Sequence, residues 1–145
     1  MAKQLSAQVE IDATPERVWR VLTDLGAYAE WNPFIVSSAG TPAEGERLTN
    51  RMQPVGGRAV TLRPVVIEAS PERRLRWRGR MLAPGVMDAE HTFTIEPLGE
   101  RRVRLTQHER FSGALVPLVA GTLDRGTLPA FELMNAALKA RAERD

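Results

Sequence analysis

Cysteine is absent from all 145 residues. Disulfides, thiolate nucleophiles and zinc–sulfur sites are therefore excluded, and a cytoplasmic location is the expectation. No run of 18 apolar residues occurs, so a transmembrane helix is not expected. The opening Met1-Ala2-Lys3-Gln4-Leu5 enters a strand-like alternation at once and lacks the apolar region of a signal peptide. Phosphate-binding loops are missing as well, because Gly56-Gly57 is not followed by Lys-Ser/Thr and a helix start. Ser37 and Ser38 lie on a short predicted strand without a sharp nucleophile turn, so no Ser/His/Asp triad can be placed. Only two histidines exist, His91 and His108, and no carboxylate–histidine set has the spacing of a metal site. No metal, nucleotide or other cofactor is expected.

What is present is the composition of one soluble domain, residues 1–145, with 43% hydrophobic and 26% charged residues. The net charge of +2 and pI near 9.6 raise the question of a nucleic-acid partner. The placement of charge argues against one. Arg74, Arg76, Arg78 and Arg80 alternate on the outer face of one predicted strand, and Arg102, Arg104 and Arg110 do so on another. The strand between them offers Asp88, Glu90 and Glu96 outward. This reads as a cross-strand ladder of opposite charges, and the exposed aromatics that single-strand binders use are missing.

The segment Val86–Phe111 organises the rest. Met87, Ala89, His91, Phe93 and Ile95 share one face of its first arm; Val103, Leu105, Gln107, Glu109 and Phe111 share one face of its second. A period of two over about ten residues per arm predicts two half-buried antiparallel strands. A three-residue loop, Leu98-Gly99-Glu100, would set Ile95 opposite Val103, Phe93 opposite Leu105, His91 opposite Gln107 and Ala89 opposite Glu109. His91, Gln107 and Glu109 then cluster on an otherwise apolar face. Unpaired buried polar groups cost about 1–3 kcal/mol each, so the face is expected to line a cavity rather than a solid core. His108 has the opposite parity and points away.

Elsewhere, Leu5, Ala7, Val9 and Ile11 alternate with polar residues as a first strand. Thr14 and Pro15 start a short helix over 15–24, Ala27–Trp31 adds a helical turn, and Asn32-Pro33 stops it. Short strands follow at Phe34–Ser38 and around Leu48–Met52. Arg58–Ala69 reads as one long strand with a bulge or edge at Pro64. Leu75, Trp77, Gly79 and Met81 form the inner face of the arginine strand. Leu115–Arg144 changes to helical spacing, with a kink or break at Pro129. The fold class is α+β: a curved antiparallel sheet of about six to seven strands wraps a long C-terminal helix, with two short helices after strand 1.

The run Ala13-Thr14-Pro15-Glu16-Arg17-Val18-Trp19-Arg20-Val21-Leu22-Thr23-Asp24, then Tyr28, Trp31-Asn32-Pro33-Phe34, Pro71–Trp77, His91-Thr92-Phe93 and Glu109-Arg110-Phe111-Ser112-Gly113, carries a resemblance. In these residues, and in their order over nearly the whole chain, the protein resembles the helix-grip (SRPBCC) superfamily. That superfamily includes START lipid-transfer domains, birch-pollen-allergen proteins and bacterial polyketide cyclase/dehydrase-like proteins. The resemblance implies a cavity between sheet and last helix, open near the loops and the helix kink. It does not fix an activity.

The first expectation is binding of a small hydrophobic molecule, lipid-like or aromatic and polyketide-like. Trp31, Phe34, Trp77, Phe93, Phe131 and Met134 would line the cavity, with Asn50, Met52, Leu62 and Asn135 as further ligand contacts. His91, Gln107 and Glu109 would form its polar end. The alternative is a cyclase or dehydratase with His91 and Glu109 as the catalytic acid–base pair. A third is a protein-interaction module with an incidental cavity. The partner is thus a small hydrophobic molecule, without nucleic acid or integral membrane association, and the chain a monomer or homodimer.

Overall fold

The computed structural model describes residues 2–81 and 83–144. Strand β1 (Ala2–Ile11) leads into α1 (Pro15–Thr23). The Thr14 hydroxyl accepts the Arg17 N–H at 3.1 Å and Pro15 occupies the first turn, the start the sequence predicted. A 3₁₀ turn, Leu25–Ala27, and a single turn α2 (Tyr28–Trp31) follow. Asn32 then ends the helical run: its side-chain oxygen accepts the N–H groups of Phe34 and Ile35, each at 2.9 Å, and directs the chain into a strand. Tyr28 is fully buried and its hydroxyl donates to the Leu22 carbonyl. Burial raises its pKa, keeping the phenol neutral.

Among the described residues, eight strands form two sheets. The main sheet has the order β1-β8-β7-β6-β5, with β5 Val65–Ser70, β6 Arg74–Met81, β7 Met87–Gly99 and β8 Arg102–Ser112. A smaller sheet, β2-β3-β4, is built from Ile35–Ala39, Thr49–Met52 and Val60–Leu62. The long strand expected over 58–69 is therefore two strands in two sheets. Pro64 lies at the break, where it has no N–H to offer a ladder. The sheets are joined there by backbone bonds from Gly45 and Leu48 to Val66 and Pro64, at 2.9 and 2.8 Å.

The central hairpin keeps its expected parity but not its expected register. Ile95 faces Leu105, Phe93 faces Gln107, His91 faces Glu109 and Ala89 faces Phe111. Each partner is shifted by two residues. The cause is at the tip: β7 runs on to Gly99, an irregularity between Pro97 and Gly99 absorbs a residue, and Glu100-Arg101 makes the turn. A shift of two keeps every side chain on its face.

Outside, the charge ladder forms as read. Arg76 bonds Glu68 and Glu90, Arg78 reaches Glu90, Arg80 reaches Asp88, and Arg104 reaches Glu96. Inside, the C-terminal helical segment closes the core in three pieces: α3 (Val116–Thr122), a π-helical turn (Leu123–Thr127) and α4 (Leu128–Glu143). The break precedes Pro129, which lacks the N–H that would continue the helical ladder, and a wider turn accommodates the loss. The Gly126 carbonyl is taken instead by the Val55 N–H at 3.0 Å. At its far end α4 is held by Arg17, whose guanidinium donates to the carbonyls of Arg141, Ala142 and Arg144. Gly113 ends β8 at φ +120°; a Cβ there would stand 2.5 Å from the Val86 carbonyl oxygen, so only glycine fits.

Candidate ligand-binding site

Two inner-face positions that pair directly across β6 and β7 are Gly79 and Ala89. Their neighbours along the strands are large: Trp77 opposite His91 on one side, Met81 opposite Met87 on the other. Two small residues face to face leave a gap that nothing else fills. The result is a cavity of about 130 Å³ lined by Phe34, Met52, Leu62, Phe111 and Leu123 together with the Gly79 to Ala89 floor. Pro54, Val60 and Thr127 complete its rim, and Val60 is 41% exposed. The wall is apolar but for Thr127 on that rim and one ionisable group, Glu109.

Glu109 is the end of a buried polar chain. Its Oε2 lies 3.5 Å from His91 Nδ1 across the β7–β8 pair. His91 is fully buried, with its ring stacked on Phe93 at 4.6 Å and flanked by Phe131 at 5.1 Å and Trp77 at 5.4 Å. On its other side, His91 Nε2 is 3.0 Å from Gln107 Oε1. The Gln107 amide nitrogen donates to the Phe131 carbonyl at 3.3 Å and to Asn135 Oδ1 at 2.7 Å.

These contacts fix a tautomer. A backbone carbonyl only accepts, so the Gln107 side chain must turn its NH₂ toward Phe131 and its oxygen toward His91. His91 Nε2 therefore carries the hydrogen and donates to that oxygen. Nδ1 is left to face Glu109 and has no hydrogen-bond partner within bonding distance. Nδ1 and Oε2 attract only when a proton lies between them; two bare lone pairs would repel. The supporting amides thereby hold the imidazole in place beside Glu109.

The candidate residues divide between two places. Phe34, Met52, Leu62 and Glu109 are on the cavity wall. Trp77, His91, Phe93, Gln107, Phe131, Met134 and Asn135 are buried behind it, in close-packed core or in the polar chain. Asn50 is also buried and accepts the Ser38 hydroxyl at 2.5 Å, while Trp31 is half-buried with its ring 5.2 Å from Tyr28. The cavity expected along the whole inner face is confined to one end of it. Gly79, Met81, Met87, Ala89, Phe111 and Leu123 line it although the sequence reading did not name them as ligand contacts. The available signal was Gly79, a glycine inside a strand, which marks a place where something must approach closely. Among the described residues, no group of three or more His, Cys, Asp or Glu side chains converges as a metal site. No helix among them is long and apolar enough to cross a membrane.

Solved structures share this architecture. An aromatase/cyclase from Streptomyces sp. R1128 superposes with a TM-score of 0.80 at 20% identity, covering 99% of this chain and 95% of its own. A norcoclaurine synthase point mutant from Thalictrum flavum gives 0.75 at 14% identity, with 98% and 94% covered. A START superfamily protein from Mycobacterium smegmatis gives 0.74 at 21% identity, with 97% of each chain covered. At such identities the likeness speaks for the fold. No curated protein matches the sequence significantly. The model of one family, described as polyketide cyclase/dehydrase and lipid transport, matches residues 2–143, and with its helix-grip fold the chain belongs to that family within the START/SRPBCC superfamily.

Proposed function

We propose that the protein binds a small, mainly apolar molecule in the cavity floored by Gly79 and Ala89. The observation that carries this is the wall itself: apolar side chains around about 130 Å³ of space, with Glu109 as the one ionisable group. Apolar pockets with few polar groups bind by excluding water from the ligand, and the polar group orients it. An engineered apolar cavity of about 150 Å³ admits benzene, so the space suits one ring or a short chain. The family supports ligand binding or cyclase chemistry in general terms.

One contact favours a second reading, an enzyme of cyclase or dehydratase type. Glu109 reaches the cavity and His91 stands 3.5 Å behind it. In that reading Glu109 exchanges the proton with the substrate, and His91 acts through Glu109 by holding or returning it. Gln107 and Asn135 are positioning residues.

Methionine methyl groups provide the test. Met52, Met81 and Met87 line the cavity, whereas Met134 is buried in the close-packed core. Titration of ¹³C-methyl-methionine protein with toluene is expected to shift the first three signals and leave the fourth in place. Gly79→Val should abolish those shifts, since a Cβ at Gly79 meets only Pro64, at 3.9 Å, and the new side chain enters the cavity. Equal shifts at Met52, Met81, Met87 and Met134, or none at saturating toluene, would remove the binding reading.

A further inference from the structure

We propose that the molecule the cavity takes is neutral, about one ring in size, and carries a hydroxyl donor aimed at Glu109. This rests on the binding reading above and narrows it. Three observations combine. The first is size: about 130 Å³ accommodates a single ring and excludes a long acyl chain or fused ring system from full enclosure.

The second is the direction of hydrogen bonding. Gln107, fixed by the Phe131 carbonyl, makes His91 donate through Nε2, so Nδ1 is the ring atom that faces Glu109 Oε2, at 3.5 Å. Glu109 in turn reaches the cavity wall with its carboxyl group. It accepts hydrogen bonds. A ligand that presents a donor satisfies it; a ligand that presents only acceptors, such as a carboxylate or an ether, leaves it unpaired in an apolar wall.

The third is charge. Glu109, the one ionisable group on the wall, supplies no positive charge. The remaining wall, Phe34, Met52, Leu62, Met81, Met87 and Phe111, offers no counter-charge. A carboxylate would enter without a counter-charge, and an ammonium would find few acceptors for its three N–H donors in an apolar wall, so burying either charge is costly. A hydroxyl supplies the donor at far smaller desolvation cost. The polar chain thereby selects for the ligand's hydrogen-bond sense as well as its position.

Phenol and toluene are isosteres and differ only in the group at issue. Their dissociation constants, read from the Met81 and Met87 methyl signals of the intact protein, give the test together with benzylamine and benzoate. Phenol binding as tightly as toluene or more tightly is expected, even though water solvates its hydroxyl better. Glu109→Met should then swing the phenol-to-toluene preference toward toluene by about tenfold or more. Toluene binding more tightly than phenol to the wild type, or an unchanged preference in Glu109→Met, overturns the donor inference while leaving the cavity as a binding site. The wild-type comparison decides even if that variant does not fold. Benzylamine or benzoate outranking phenol would contradict the inference that the ligand is neutral. If none of the four compounds binds up to its solubility, the binding reading fails, and this inference with it.

Discussion

The inner face of the main sheet is solid at one end and hollow at the other, on the same strands. At the solid end, Leu75 faces Phe93 and Trp77 faces His91; Phe131 of α4 packs 5.1 Å from the His91 ring, and Met134 and Leu138 of the same helix are fully buried. Two strand positions further along, Gly79 faces Ala89, and the helical cover changes from a regular α-helix to the π turn that carries Leu123 and Thr127. Both the floor and the roof thin out at the same place. Solid packing there would have required only larger side chains. The hollow is thus written into two small residues and one break in a helix, and the solid end supplies the rigid support for Glu109.

This contrast can be broken by substitution. The largest effect is expected at the solid end. Phe131→Ala removes a fully buried ring that touches Phe34 and His91, and should lower unfolding free energy in urea by about 3–5 kcal/mol. Gln107→Leu comes next, at about 2 kcal/mol, because it leaves the His91 Nε2–H and the Asn135 oxygen buried without partners. Its methionine spectrum should still report ligand at Met81 and Met87, though the orientation of the imidazole is no longer fixed. At the hollow end, Gly79→Val should change stability by less than about 1 kcal/mol, in either direction, because it fills space instead of creating strain. A loss there as large as that of Phe131→Ala would mean the two ends are equally packed.

The smallest effect belongs to the outer face and serves as a control. Glu68 is held below the ordinary glutamate value of 4.5 by hydrogen bonds from Ser70 and Arg76 and by the Arg74 and Arg76 charges. Burial pushes Glu90 up, but the hydrogen bond and charge of Arg76, with Arg78, bring it below its ordinary value. Folded values that are depressed stabilise the protein above the unfolded value, and that stabilisation is lost as pH falls through the folded ones. Arg76→Met should therefore lower stability at neutral pH by less than about 1 kcal/mol and flatten the decline below pH 4.5, as followed by thermal unfolding across pH. Ligand affinity should not change, since these side chains point away from the cavity.

How far this was legible in the chain can be stated residue by residue. Period-two alternation put His91, Gln107 and Glu109 on the inner face and His108 outside, and parity survives a shift of two. The partner of each residue did not follow, because the turn between β7 and β8 absorbs a bulge at Pro97–Gly99 that no local pattern announces. Glu109 consequently sits opposite His91 rather than one diagonal away. Thr14, Pro15 and Asn32 marked their helix boundaries because capping is local chemistry. Pro64 marked a disturbance, but the exchange of sheets it permits depends on where the chain from Gly45 to Leu48 returns. The cavity was least accessible of all. It requires knowing that Gly79 meets Ala89, a register between β6 and β7, and that the helix widens above them. Large aromatics such as Trp77 and Phe131 were natural candidates for a pocket wall, yet large residues fill space, and the small ones leave it.

Xenon offers the most direct measurement of that claim, because it enters apolar cavities without needing a hydrogen bond. In a crystal of the wild-type protein pressurised with xenon, one strong site is expected between Gly79, Ala89 and Phe111, and it should vanish in Gly79→Val. Xenon bound instead against Phe131 and Met134, or no xenon between Gly79 and Ala89, would contradict the account.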